Sequence, residues 1–191
     1  VRVLGPPGNL PRMAGPTRPM LAPVLLAATV VAVADLIDAI VVWVVIFQKS
    51  TVPRICQSIA GGLLGPDTFK GGNATVVLGL VLHFTVALGW TLVFLFFLQR
   101  WPQLRAWTAR TRSAVLVGLA YGAVVWLLMD SVVLPLSRAR ATPPTAPWFW
   151  IQLLTHPFVV GLPIALILGR AVNSAPVTAP APVPQAVRGG S

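Results

Sequence analysis

The stretch LAPVLLAATVVAVADLIDAIVVWVVIF, residues 21–47, decides the fold. Its 27 residues carry only two charges, Asp35 and Asp38, and show no alternation of apolar and polar positions. About 20 helical residues cross a 30 Å hydrocarbon core, so this run is long enough to span a bilayer with some tilt or overhang. Three more runs meet the same length rule: TVVLGLVLHFTVALGWTLVFLFFL at 75–98, SAVLVGLAYGAVVWLLMDSVVLPL at 113–136 and FWIQLLTHPFVVGLPIALIL at 149–168. In lipid the backbone must satisfy its own hydrogen bonds, which leaves helices or closed barrels, and continuous apolar runs exclude the barrel. The expectation is an all-α integral membrane protein, a bundle of four transmembrane helices.

Composition agrees. Of the 191 residues 56% are hydrophobic and 9% charged, against about 25% charged in soluble domains, and mean hydropathy is +0.82. The four spans use most of the chain, which leaves no room for a separate catalytic domain. The net charge of +10 comes from residues that flank the apolar runs. That placement suits topology and lipid head groups, and nucleic acid is not an expected partner.

Working outward, residues 1–19 are rich in Pro, Gly and Arg and are predicted to be a disordered N-terminal segment. The membrane domain is expected over 20–170, followed by a disordered Ala/Pro-rich tail over 171–191. The opening residues lack a signal-peptide pattern, so the first span is expected to act as its own insertion signal. In the first loop, RICQSIAGGLLG (54–65) mixes polar and apolar residues and predicts a short interfacial or re-entrant helix, although Gly61, Gly62 and Gly65 also allow a bent segment. Pro157 and Pro163 are expected to kink the fourth span. The single cysteine, Cys56, excludes an internal disulfide and reads as an apolar filler.

Orientation follows from Lys and Arg. The N-terminal segment, second loop and tail hold nine: Arg2, Arg12, Arg18, Arg100, Arg105, Arg110, Arg112, Arg170 and Arg188. The other two loops hold five: Lys49, Arg54, Lys70, Arg138 and Arg140. Both termini are therefore expected in the cytoplasm of a bacterium, with the chain in its inner membrane. Trp101, Trp107, Trp148 and Trp150 fall at span ends, where an aromatic belt belongs.

The chemistry lies in the few ionisable residues inside the spans. There is no Glu, and three of the four Asp residues, Asp35, Asp38 and Asp130, sit in apolar runs together with His83 and His156. Asp35 and Asp38 share one helix face, about a turn apart. With alternating helix direction all five come out roughly 9 to 18 Å from the outer ends of their spans, so they could meet in one layer. Each ionised carboxylate at mid-membrane costs about 2.5 to 3.5 kcal/mol. With no Lys or Arg at that depth, the carboxylates must pair with His, share protons or bind a cation. Gln57, Tyr121, Ser131 and Gln152 could add hydrogen bonds.

Four readings fit this set: polar groups that glue helices together, a proton or cation path, a Zn, Mn or Fe site without a local motif, or axial ligation of haem or a chlorophyll-type pigment by His83 and His156. Gly118 and Gly122 form a small-xxx-small pair that favours close packing inside the bundle over dimerisation. DLIDA at 35–39 superficially resembles acid-rich motifs of phosphatidyl and prenyl transferases, but the glycine, arginine and second acidic cluster are missing. No Ser nucleophile or phosphate loop is present either, so no enzyme is predicted. Asn73-Ala74-Thr75 matches the glycosylation sequon, which is discounted because it abuts the membrane.

Several strings, QSIAGGLLG (57–65), FKGG (69–72), LGLVLHF (78–84), VVLPLS (132–137) and HPFVVGLPIAL (156–166), resemble a group of small, uncharacterised bacterial inner-membrane proteins distantly related to the YagU-like family. The similarity covers about residues 21–170. It implies a four-helix membrane fold and no particular activity. That group carries Met-Asn where this chain has Met129-Asp130, which puts an obligatory charge at 130 in doubt. The functional expectation is a polytopic protein that binds or translocates a proton or cation through the Asp/His cluster. The rival is a non-catalytic accessory subunit, packed against other membrane subunits or another copy of itself, including a pigment- or haem-containing complex.

Overall fold

The structure, a computed structural model, describes residues 20–139 and 145–174. The expected N-terminal segment 1–19, Arg140 and the tail from residue 175 lie outside the described residues. Four helices are long and apolar enough to cross a membrane: α1 Leu21–Ile46, α3 Gly72–Arg100, α5 Thr111–Leu136 and α6 Pro147–Asn173. Two shorter helices join them, α2 Val52–Leu64 and α4 Pro102–Thr108. The chain is a multi-pass, all-α membrane protein.

Local chemistry explains the boundaries. α3 stops at Arg100 because Trp101 precedes Pro102 and is held extended, at φ −117° and ψ 105°. α6 starts at Pro147, two residues before the expected position, since proline suits the first turn of a helix. At its other end α6 continues to Asn173, past the expected limit, because Asn173 Nδ2 donates to the carbonyls of Gly169 at 2.8 Å and Arg105 at 3.2 Å. Residues 171–173, expected in the tail, are therefore helical. The short helix expected in the first loop is present, and Gly65, at φ +72°, ends it. α4 has no counterpart in the sequence reading.

Proline in the spans produces wide, π-type turns. One covers Pro157–Gly161 in α6 and another Met129–Val133 in α5, just before Pro135. Each proline lacks the N–H that the carbonyl four residues earlier needs, and local rewinding absorbs the deficit. A third wide turn, Val41–Ile46, closes α1.

Around the bundle, α1 packs against α3 and α6, and α6 also packs against α5. Tyr121 of α5 closes the ring: its hydroxyl donates to Trp90 O at 2.6 Å and its ring lies 4.8 Å from that of Phe94. Large apolar side chains such as Leu116, Leu136 and Leu154 face outward, 68%, 83% and 69% exposed, as lipid contact requires.

The two halves of the bundle differ in content. The half toward the ends of α3 and α6, called here the arginine end, is filled by Val24, Ala27, Val31, Phe94, Leu98, Ile164 and Leu168. In the half toward α2, the loop end, the spans carry Asp35, Asp38, His83, Gln152 and His156. α2 packs along the start of α3 there. Gln57 Nε2 donates to Gly72 O and Thr75 Oγ1, both at 3.3 Å, and Thr68 donates to Gln57 O at 2.9 Å. A Cβ on Gly79 would collide with the Cys56 carbonyl, so glycine permits this contact. The Arg138 N–H donates to Gly62 O at 2.9 Å and ties α2 to the end of α5.

Candidate functional site

α1 brings Asp35 and Asp38 to its inward face, α3 supplies His83, and α6 supplies Gln152, Thr155 and His156. Their i, i+3 and i+4 spacings stack each set on one side of its helix. Asp35 is the centre. Its Oδ1 lies 3.4 Å from His156 Nε2 and its Oδ2 lies 3.9 Å from His83 Nε2. The two imidazoles are 11% and 12% exposed and the carboxylate 24%, so solvent screens the group only in part.

Backbone acceptors define which ring nitrogens carry hydrogen. A carbonyl oxygen only accepts, so the nitrogen facing it must donate. His83 Nε2 faces Ala32 O at 2.8 Å and His156 Nδ1 faces Gln152 O at 3.1 Å. Each ring therefore holds one N–H by a main-chain bond, the usual way in which a tautomer is set. The remaining His156 nitrogen, Nε2, points its lone pair or its proton at Asp35. Two lone pairs there would repel, and one proton between them resolves the contact as either imidazolium and carboxylate or imidazole and carboxylic acid.

Asp38 has a separate partner. The Thr155 hydroxyl donates to Asp38 Oδ2 at 3.1 Å, with two Gln152 oxygens slightly farther away at 3.3 and 3.4 Å. The ring of Trp126 covers His156 at 4.7 Å between centroids. Trp126 Nε1 is buried and has no hydrogen-bond partner among the described residues.

Four of the five expected ionisable residues, Asp35, Asp38, His83 and His156, thus come together, and Gln152 joins them. Asp130 is buried, 5% exposed, and lies one helical turn beyond Trp126 toward the loop end. Ser131, beside it, is exposed. Tyr121 is bonded to α3 at Trp90 instead, and Gln57 serves the α2–α3 joint. Thr155, Trp126 and the carbonyl of Ala32 belong to the site and were not expected. Gly118 and Gly122 lie against α6: a Cβ on Gly122 would sit 2.6 Å from His156 O and Pro157 Cα, and one on Gly118 2.8 Å from Leu162 Cα. They hold α5 close enough for Trp126 to reach His156.

The arrangement fits metals and macrocycles poorly. His83 Nε2, its nitrogen nearest the carboxylate, already donates its N–H to Ala32 O, whereas a metal ligand offers a lone pair. Among the described residues no three His, Cys, Asp or Glu side chains are grouped to hold a metal ion. The Asp35 side chain also stands between the two imidazoles, in the space that a haem or chlorophyll-type ring ligated by both would occupy. No family model, curated protein or solved structure matches the chain.

Proposed function

We propose that this chain is a small polytopic protein of a bacterial cytoplasmic membrane that binds a proton at Asp35 and His156 and handles it as an ion-binding or ion-translocating protein. The observation that carries the reading is the Asp35 carboxylate beside two imidazoles, with His156 Nε2 turned to it because the other nitrogen of that ring is bonded to Gln152 O. A structural polar contact needs only satisfied bonds, while this one leaves a single proton with two places to sit. Intramembrane acids and histidines in such contact are the usual components of proton relays. Asp38, held by Thr155 one turn away, is the next acceptor toward the loop end.

Both termini are proposed to face the cytoplasm, with the arginine end inside. Protons then reach the cluster from the loop end. Phe94, Leu98, Ile164 and Leu168 fill the other half, each no more than 1% exposed, so translocation requires that half to open. To that extent the filled half favours the accessory-subunit alternative, in which the cluster only binds.

Reconstituted liposomes test the reading. Wild type is expected to carry protons down a pH gradient and Asp35→Asn to lose at least tenfold of that rate. Infrared titration of the purified protein should show a carboxyl band that changes with pH and disappears in Asp35→Asn. Absence of both the flux and the titrating band overturns the proposal. A titrating band without flux, with co-elution of a larger assembly, selects the accessory subunit.

A further inference from the structure

We propose that the arginine end of the bundle is a docking surface for the phosphodiester head groups of anionic phospholipids. Arg100 in the last turn of α3, Arg105 in α4, Arg110 and Arg112 at the start of α5, and Arg170 in the last turn of α6 are all exposed. α4 gathers them, because it is fastened to α6: Arg105 Nη2 donates to Val172 O at 3.1 Å, Asn173 Nδ2 donates to Arg105 O at 3.2 Å, and Gly169 packs against Thr108.

Among the described residues the protein offers them no acidic partner. Of its four acidic side chains, Asp67 pairs with Lys70 at 2.8 Å at the opposite end, Asp35 and Asp38 lie in the proton cluster, and Asp130 lies in the loop-end part of α5. Among the described residues none of the five guanidiniums makes an ion pair. Cations at the loop end behave differently. Besides the Lys70 pair, the Arg54 guanidinium lies 5.1 Å from the Phe69 ring centre and Lys49 Nζ 5.8 Å from that of Trp148.

Five guanidiniums at one end repel one another, and each has five N–H donors in a fork that matches a phosphate. Trp101 and Trp107 mark where this surface sits. They are 51% and 59% exposed at the level of the arginines, as indoles at a membrane interface are. Phosphodiesters of the lipid leaflet are the anions at that depth. A soluble acidic partner would have to reach past the indoles and the head groups already there.

Native mass spectrometry of the full chain, released from vesicles of equal phosphatidylglycerol and phosphatidylcholine, tests the surface. Phosphatidylglycerol should dominate the bound lipid, and each arginine changed to glutamine should weaken that preference roughly fivefold. Arg110→Gln with Arg112→Gln is the first variant; Arg110→Lys with Arg112→Lys should keep most of the preference. Lys49→Gln with Arg54→Gln, at the loop end, should leave it unchanged. Equal binding of both lipids, or an equal loss from the loop-end pair, overturns the proposal. If the glutamine variants do not fold, wild type in 1 M salt replaces them, where charges are screened beyond about 3 Å, and a preference that survives there also overturns it.

Discussion

Two buried regions of the same bundle are held together on opposite principles. Where α5 meets α6, glycine lies on glycine: a Cβ on Gly161 would strike Gly118 O and Gly122 N, and shape alone holds the contact. Where α1 meets α3 and α6, Asp35, His83 and His156 meet in a half of the bundle where each charge is costly. Close packing of small residues gains dispersion contacts and needs no partner chemistry. A buried carboxylate adds little net stability even when paired. The seam therefore supports the fold, while the polar layer is kept at the expense of stability, which is the physical reason to read it as functional.

Substitution can break this contrast. Gly161→Val is expected to have the largest effect, because its Cβ would overlap backbone atoms that belong to α5 and cannot rotate away. Size-exclusion profiles and helical circular dichroism in detergent should show loss of the folded bundle. Asp35→Asn is expected to stay folded, with a thermal midpoint at or above that of wild type, since an amide removes an insertion cost of about 2.5 to 3.5 kcal/mol together with the His156 contact. It should lose the proton-dependent signals. An Asp35→Asn protein that unfolds while Gly161→Val survives would reverse the roles assigned to the two regions.

The α2–α3 joint extends the comparison, since it too relies on glycine, with Gly79 under the Cys56 carbonyl. Cys56 is 2% exposed, and burial pushes its thiol above the ordinary range. Only the thiolate reacts quickly, and a raised pKa leaves little thiolate at neutral pH. Maleimide labelling at pH 7 should be at least about tenfold slower in the folded protein than after denaturation. Rapid labelling of the folded chain would mean that α2 detaches from α3.

How much of this was legible in the sequence follows the same division. The four spans were visible because hydropathy over 20 residues is a strong signal, and the rise per residue was enough to place Asp35, Asp38, His83 and His156 at one level. The atoms that set the histidine tautomers, Ala32 O and Gln152 O, carry no signal because every residue has a carbonyl. Trp126 and Asp130 lie one turn apart on the same face, so depth alone could not choose which of them meets His156. α4 was missed because seven residues between two arginine-rich turns show no clear period. Thr155 could have been found: it follows Gln152 by three positions and sits next to His156.

The finest test compares two hydroxyls that differ in what they serve. Tyr121 donates to the backbone of α3 in the dry half, and Thr155 donates to the Asp38 carboxylate in the polar layer. Interhelical hydrogen bonds in membranes average about 0.6 kcal/mol, or roughly threefold in the unfolding equilibrium. Tyr121→Phe and Thr155→Val should each lower stability in reversible detergent unfolding by about that amount. They should differ in proton flux. Tyr121→Phe is expected to leave it unchanged, because its bond ends on a main-chain oxygen away from the cluster. Thr155→Val takes the donor that orients the Asp38 carboxylate without changing side-chain shape, so proton transfer through Asp38 is expected to slow. Equal flux in both variants would make Asp38 a structural partner and confine the proton site to Asp35 and His156.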